Sequence, residues 1–232
     1  MEIIGNDKIR EELSKVILKL NNGTLILNGP EGVGKKSFVV DFAKKNKLSF
    51  FLIGDKKNNS EEYLSINLAR ILKDLALKKN TDKQLIIIDN AQRLTLPAQN
   101  ALLKTFEESS PNIIFILITS RLRSILPTII SRSFIFRFQL LTEEEMIKVL
   151  KYFNIDAHKY QKLINIYQGR PGKIISFLNS NNIDIDKMIK FIEEKNIVDK
   201  LKLLYKINSS LTFDELLEFM ILANRLKMIE RK

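Results

Sequence analysis

The sequence contains no cysteine, no tryptophan and a single histidine, His158. Without cysteine, neither a disulfide nor a thiolate zinc site can form, and one histidine cannot build a histidine metal cluster. Oxygen ligands are then the remaining way to hold a metal, and they suit Mg²⁺. The composition therefore predicts a protein without zinc, in which magnesium is the metal to consider.

Proline and glycine are few, and long apolar runs are lacking. Five prolines and eight glycines in 232 residues, with 45% hydrophobic and 28% charged residues, argue against a disordered or collagen-like chain. No apolar run approaches the length of about 18 residues that a membrane-spanning helix needs. The first residues lack the basic and apolar regions of a signal peptide. We therefore expect a globular cytoplasmic protein with no membrane partner.

Positive charge is in excess, since 38 lysines and arginines face 27 acidic residues and the net charge is +11. Such an excess favours polyanionic partners, although a solvated lysine-rich surface explains it equally well. Residues 109–142 are different, because they contain neither acidic residues nor lysine and yet hold Arg121, Arg123, Arg132 and Arg137. Arginine offers a planar fork of donors, so this segment is predicted to handle phosphate or carboxylate.

Short apolar runs alternate with helical patterns through the first 140 residues. The runs predict buried strands at residues 24–28, 48–53, 84–88, 113–118 and 134–138. This alternation predicts an α/β fold with a five-stranded parallel sheet covered by helices on both faces. After residue 140 only helical patterns follow, beginning with a capping box at Thr142 and Glu145. We predict domains at residues 1–140, 141–180 and 181–232.

A glycine-rich loop follows the first predicted strand and precedes a helix. Residues 29–35 read Gly-Pro-Glu-Gly-Val-Gly-Lys and match the phosphate-binding pattern G-x-x-x-x-G-K. Gly29, Gly32 and Gly34 let backbone N–H groups turn toward phosphate oxygens, and Lys35 reaches the outer phosphates. The loop predicts nucleotide binding.

The chemistry next to this loop departs from that of a hydrolase. A serine or threonine that ligates Mg²⁺ normally follows the loop lysine, but here Lys36 follows, and Ser37 lies about 100° further round the helix. Asp89 ends an apolar strand, where such folds hold Mg²⁺ through water. Asn90 stands where a glutamate would polarise the attacking water, and losing a general base costs on the order of 10²–10⁴ in rate. Ser37 and Asp89 are the candidate metal ligands, and we predict weak or absent ATP hydrolysis.

Four segments share a pattern with a known family: residues 89–95, 98–104, 107–108 and 126–133. They resemble the bacterial clamp-loader ATPases of the AAA+ class, in which D-E-A-x-x-L-T, A-x-N-A-L-L-K, E-E-P and L-P-T-I-x-S-R-C recur. The resemblance covers about residues 3–178 and implies a P-loop domain at 1–140, a helical lid at 141–180 and a collar-like segment at 181–232.

The resemblance implies roles for individual residues. Arg132 matches an arginine finger that acts in trans on ATP bound by a neighbouring subunit, which is worth about 10³–10⁵ in rate. Thr119 or Ser120 matches the first sensor of the nucleotide, and Lys173 the second, in the lid. The predicted ATP site consists of the loop residues and both sensors together with Lys36, Ser37, Asp89 and Asn90. Mg²⁺ is a possible cofactor at this site.

Within that family the chain is most similar to the delta-prime kind of subunit. Lys36, Asn90 and the missing cysteines of a zinc module set it apart from the gamma and tau motors. The implied function is to help load the sliding clamp on primed DNA within the DNA polymerase III clamp loader. The implied partners are gamma or tau, delta, the clamp and primer-template DNA. Two alternatives stay open: an active motor ATPase, in which Ser37 or water completes the metal site, and a nucleic-acid-binding protein on this scaffold.

Overall fold

The computed structural model describes residues 3–54, 72, 82–179 and 199. The chain divides into two compact units, Met1–Leu140 and Leu141–Lys232. The sequence-based division at residues 140 and 180 stays a prediction. The predicted boundary at residue 180 and nearly all of the segment 181–232 lie outside the described residues.

The first unit alternates helices with strands. The helices whose bounds the described residues give are α1 (Asp7–Lys19), α2 (Lys35–Lys45), α3 (Leu96–Glu107) and the short α4 (Pro127–Ile130). Its strands are β1 (Gly23–Asn28), β2 (Ser49–Ile53), β3 (Gln84–Ile88), β4 (Ile113–Thr119) and β5 (Ser133–Arg137). Short 3₁₀ turns lie at Ala91–Arg93 and Leu122–Ser124.

The five strands form one sheet in the order β2-β3-β4-β1-β5, and every neighbouring pair is parallel. The predicted α/β fold with a five-stranded parallel sheet is thereby confirmed. In β1, Leu25 pairs with Ile116 on one side and with Phe134 on the other. All seven residues of β4 are buried, as expected for an uninterrupted apolar run covered on both faces.

The strand order decides where polar residues collect. Because β1, β4 and β3 are successive neighbours and run in parallel, their carboxyl ends lie at one edge of the sheet. Ligands of open parallel sheets bind outside that edge. The residues that follow these three strands therefore face a common region.

The second unit is helical where it is described, with α5 (Glu143–Tyr152), α6 (Gln161–Tyr167) and α7 (Pro171–Asn179). The predicted capping box is confirmed, since the Glu145 N–H donates to Thr142 Oγ1 at 3.2 Å and the Thr142 N–H donates to Glu145 Oε2 at 2.8 Å. Across the described residues, no helix combines the length and the apolar character that crossing a membrane requires.

Candidate nucleotide-binding site

The predicted phosphate loop connects β1 to α2 at the carboxyl edge of the sheet. Gly32 has φ 82° and Gly34 has φ 92°, a left-handed backbone that glycine adopts without steric cost. The helix then begins at Lys35. The first N–H groups of a helix have no partner within it, and a helix start is therefore suited to binding an anion.

Gly29 is fixed by its packing. Its N–H donates to the Thr119 carbonyl at 3.2 Å, which ties the start of the loop to the end of β4. A Cβ placed on Gly29 would collide with the backbone carbonyl of Phe138. Glycine is therefore required here by the neighbouring backbone as well as by any phosphate.

Lys35 is the buried cation of the loop, with only 6% of its surface exposed. Its Nζ donates to the carbonyls of Gly29 and Pro30, both at 2.6 Å. An ammonium carries three donors, so these two bonds do not exhaust it. Burial lowers the pKa of Lys35 to about 8, against the opposing pull of the nearby Glu31 and Asp89 carboxylates. The site thus holds a buried ammonium that can donate a further hydrogen bond to an anion.

Lys36 and Asp89 form an ion pair across the site. The Nζ of Lys36, on the first turn of α2, lies 3.2 Å from Asp89 Oδ2, just past the end of β3. The other carboxylate oxygen, Oδ1, accepts the Asn90 N–H at 3.0 Å. Ser37 is exposed. The residue of α2 that reaches the strand-end aspartate is therefore the lysine.

Asn90 belongs to a chain of side-chain contacts that sequence reasoning missed. Its Oδ1 accepts from Gln92 Nε2 at 3.2 Å, and Gln92 Oε1 accepts the Ser120 N–H at 3.3 Å. Gln92 thus joins the end of β3 to the end of β4. Its place inside one of the recurring segments was the only signal that could have pointed to it.

The two candidates for the first sensor differ in their surroundings. Thr119 is 1% exposed, and its Oγ1 accepts the Arg121 N–H at 3.0 Å. Ser120 is less buried, and its Oγ donates to Glu31 Oε1 of the loop at 3.4 Å. Ser120 therefore contacts the phosphate loop through its side chain. Lys173 lies in α7 of the second unit, and its role as second sensor stays a prediction.

Arg132 lies between α4 and β5, apart from the phosphate loop in sequence. Its Nε lies 2.8 Å from Glu107 Oε1 at the end of α3, and its Nη1 donates to the Thr128 carbonyl at 3.2 Å. Both partners of the ion pair are more than half exposed, at 55% and 53%. Arg132 is thus an oriented arginine on the surface, which can reach a second molecule.

Gln99 supports the segment that leads to Arg132 and was also missed. Its Nε2 donates to the carbonyls of Leu94 and Ser124 at 3.1 and 2.9 Å, and its Oε1 accepts the Leu126 N–H at 2.8 Å. The amide is 4% exposed. It fixes the loop between β4 and α4 against α3.

Few of the described side chains near the phosphate loop could bind a metal ion. Among the described residues no group of three or more histidine, cysteine, aspartate or glutamate side chains could hold one. The assignment of Ser37 and Asp89 as magnesium ligands stays a prediction.

Comparison with known proteins adds to this geometry. The family described as "DNA polymerase III, delta subunit" matches residues 50–142. The replication factor C small subunit of Methanococcus vannielii is 28% identical over 241 residues, which cover 100% of this chain and 73% of that protein. Replication factor C subunit 5 of Mus musculus is 28% identical over 198 residues, which cover 81% and 58% respectively.

A solved structure also resembles the chain. It is a DNA polymerase III gamma subunit-related protein from Thermotoga maritima, with a TM-score of 0.58 and 17% identity over 95% of this chain and 84% of that one. At this identity the likeness concerns the fold. Together the matches support the clamp-loader family of AAA+ proteins. They do not support the delta-prime kind specifically, because the curated relatives named above are replication factor C subunits of an archaeon and a mouse.

Proposed function

We propose that this chain is a clamp-loader subunit that completes a neighbour's ATP site and has little ATPase activity of its own. In this it would act as the delta-prime kind does. Its likeness to the clamp-loader AAA+ proteins supports this proposal. The observation that carries the proposal is an asymmetry: the chain keeps an exposed arginine at position 132 but has an amide, Asn90, where a hydrolase needs a base.

The chain's own site supports the first half of this proposal. An amide cannot accept the proton of an attacking water, and Asn90 is already bonded to Gln92. Losing a general base costs on the order of 10²–10⁴ in rate. Lys36 adds to the defect by pairing with the aspartate that would organise the metal. Phosphate binding by the loop remains compatible with both changes.

The surface around Arg132 supports the second half. An exposed ion pair such as that with Glu107 is worth at most about 1 kcal/mol, so little free energy opposes its exchange for another anion. A guanidinium makes stronger, bidentate hydrogen bonds to a phosphate. Glu107 therefore orients the Arg132 side chain through a weak ion pair, and the γ-phosphate of a neighbour's ATP can replace Glu107 as its partner.

The proposal also names the partners. They are the motor subunits of the same loader, its delta-type subunit, the sliding clamp and primer-template DNA inside the assembly. The net charge of +11 suits a protein that works beside a polyanion.

The decisive experiment uses the assembled loader. Arg132→Ala should slow single-turnover ATP hydrolysis at the one site it completes by about 10³-fold or more. Lys15→Ala removes an exposed cation from its ion pair with Glu11 in α1, outside the segment that holds Arg132, and serves as the matched control, with an unchanged rate expected. Equal rates for wild type and Arg132→Ala would refute the finger assignment.

A second measurement tests the alternative that the chain is an active motor ATPase. The isolated chain should show no Mg²⁺-dependent ATP turnover above that of its Lys35→Ala variant. Turnover that disappears in Lys35→Ala would make the chain an active motor despite Asn90. Tight DNA binding by the isolated chain, with a steep dependence on salt, would instead favour the nucleic-acid-binding alternative.

A further inference from the structure

Lys36 places an ammonium where related phosphate-loop proteins hold their metal ion. In those proteins a serine or threonine after the loop lysine and an aspartate at the end of a nearby strand organise Mg²⁺. Here the residue after Lys35 is Lys36, and its Nζ lies 3.2 Å from Asp89 Oδ2. A fixed cation of the protein thus occupies the neighbourhood of the strand-end carboxylate.

The residues around Asp89 do not fit a metal ion. One carboxylate oxygen accepts the Asn90 N–H and the other faces Lys36. The Asp89 side chain is only 13% exposed, which leaves little room for the water ligands that Mg²⁺ keeps. The ammonium also repels a divalent cation at the same oxygen.

We infer that Lys36 replaces the magnesium ion, and that this chain binds a nucleoside diphosphate in metal-free form. The inference rests on the proposed nucleotide role of the loop. Lys35 and Lys36 are the first two residues of α2, so two lysines follow directly on the glycine-rich loop at the start of this helix. Lys36 supplies one positive charge where the metal would supply two, and this lower charge suits a diphosphate better than a triphosphate.

The test is a titration of the full chain with ADP, in EDTA and in excess Mg²⁺, by calorimetry. The wild-type affinity should agree within about threefold in the two buffers. Lys36→Ser restores the hydroxyl of the usual pattern and should bind at least about tenfold more tightly with Mg²⁺ than in EDTA. Lys36→Arg keeps the cation and should stay independent of metal.

Lys44→Ser is the matched control, because it removes the same charge from an exposed position at the other end of α2. It should behave as wild type. Mn²⁺ offers a second readout: it should broaden the phosphorus resonances of ADP bound to Lys36→Ser but not those of ADP bound to wild type.

Three results would overturn the inference. They are a wild-type chain that needs Mg²⁺ to bind ADP, a Lys36→Ser variant that gains no metal dependence, and a chain that binds no ADP in either buffer. The last result leaves the trans role of the chain untouched, since that role is decided by Arg132 in the assembled loader.

Discussion

Gln99 shows what one buried side chain contributes to a surface function. Both ends of its amide are used, with two carbonyls accepting from the nitrogen and one N–H donating to the oxygen. Any replacement that lacks these atoms leaves the buried Leu94 carbonyl and two partly buried backbone groups without these partners. The position of the segment before Arg132 therefore depends on a residue that never touches a ligand.

Replacing Gln99 by methionine keeps the volume and removes the hydrogen bonds. We expect the free energy of unfolding to fall by about 1–3 kcal/mol, because one buried carbonyl and two partly buried backbone groups lose their partners. Urea denaturation followed by circular dichroism measures this. Asn100→Met, at the next and exposed position of α3, is the control and should change stability by less than about 0.5 kcal/mol. Similar stabilities for the two variants would contradict the assigned role of the amide.

Lys35 makes nucleotide binding sensitive to pH. Burial lowers its pKa from 10.5 to about 8, so the ammonium of the free chain loses its proton as the pH rises through 8. A neutral amine attracts phosphate less, and the ADP affinity should therefore fall above pH 8, by at most about tenfold per pH unit. Titrations on both sides of pH 8 should show this slope in wild type, and Lys35→Ala should give weak binding with a flat profile.

The lowered pKa of Lys35 affects folding stability in the opposite direction to ADP affinity. Between pH 8 and 10.5 the unfolded chain binds more protons at Lys35 than the folded chain does, so the free energy of unfolding rises with pH in that window. Burial also lowers the pKa of Lys83, which acts on stability in the same direction. Lys35 is therefore identified only if the fall in ADP affinity and part of the rise in stability disappear in Lys35→Ala.

At the scale of elements, the strands could be predicted closely from the sequence. The predicted run 84–88 coincides with β3, and the run 113–118 falls one residue short of β4. Continuous runs of isoleucine, leucine and phenylalanine are what doubly covered parallel strands require, so composition alone locates them. The order of the strands could not be predicted, because it depends on pairing between distant segments.

In the candidate site, too, the local features could be predicted from the sequence and the contacts between distant segments could not. The loop at residues 29–35 could be recognised from its spacing, since a phosphate-binding turn and its helix are local structures. The contact of Gln92 with Ser120 spans 28 residues, and that of Gln99 with Leu126 spans 27. The Lys36 and Asp89 ion pair is likewise non-local. No local pattern encodes such partners, so these three features emerged only from the fold.

The two ends of the phosphate loop should respond differently to alanine. Gly29→Ala forces a Cβ against the Phe138 backbone at the end of the sheet, and we expect a loss of about 2–4 kcal/mol in the free energy of unfolding. Gly34→Ala has open space around the new Cβ and strains only a backbone at φ 92°, which costs about 1–2 kcal/mol. Thermal and urea unfolding of both variants test this, and equal losses would show that packing against Phe138 does not matter.

At the scale of the whole molecule, the first unit contains every strand pairing of the sheet, between residues 23 and 137. We expect a fragment of residues 1–140 to unfold cooperatively in urea. A fragment with a broad, non-cooperative transition would show instead that the second unit is needed for the sheet to form.

The position of β1 between β4 and β5 also has a consequence for synthesis. Gly23 pairs with Ile114, which lies 91 residues later, and Thr24 pairs with Ser133, which lies 109 residues later. At about 5–20 residues per second, the ribosome needs roughly 5–20 s to make those partners after it has made β1. During that interval Leu25, Ile26 and Leu27, all fully buried in the finished protein, have no strand to pair with. Strand β1, which lies between β4 and β5, is therefore the strand that waits longest for its partners in the nascent chain and most needs a chaperone.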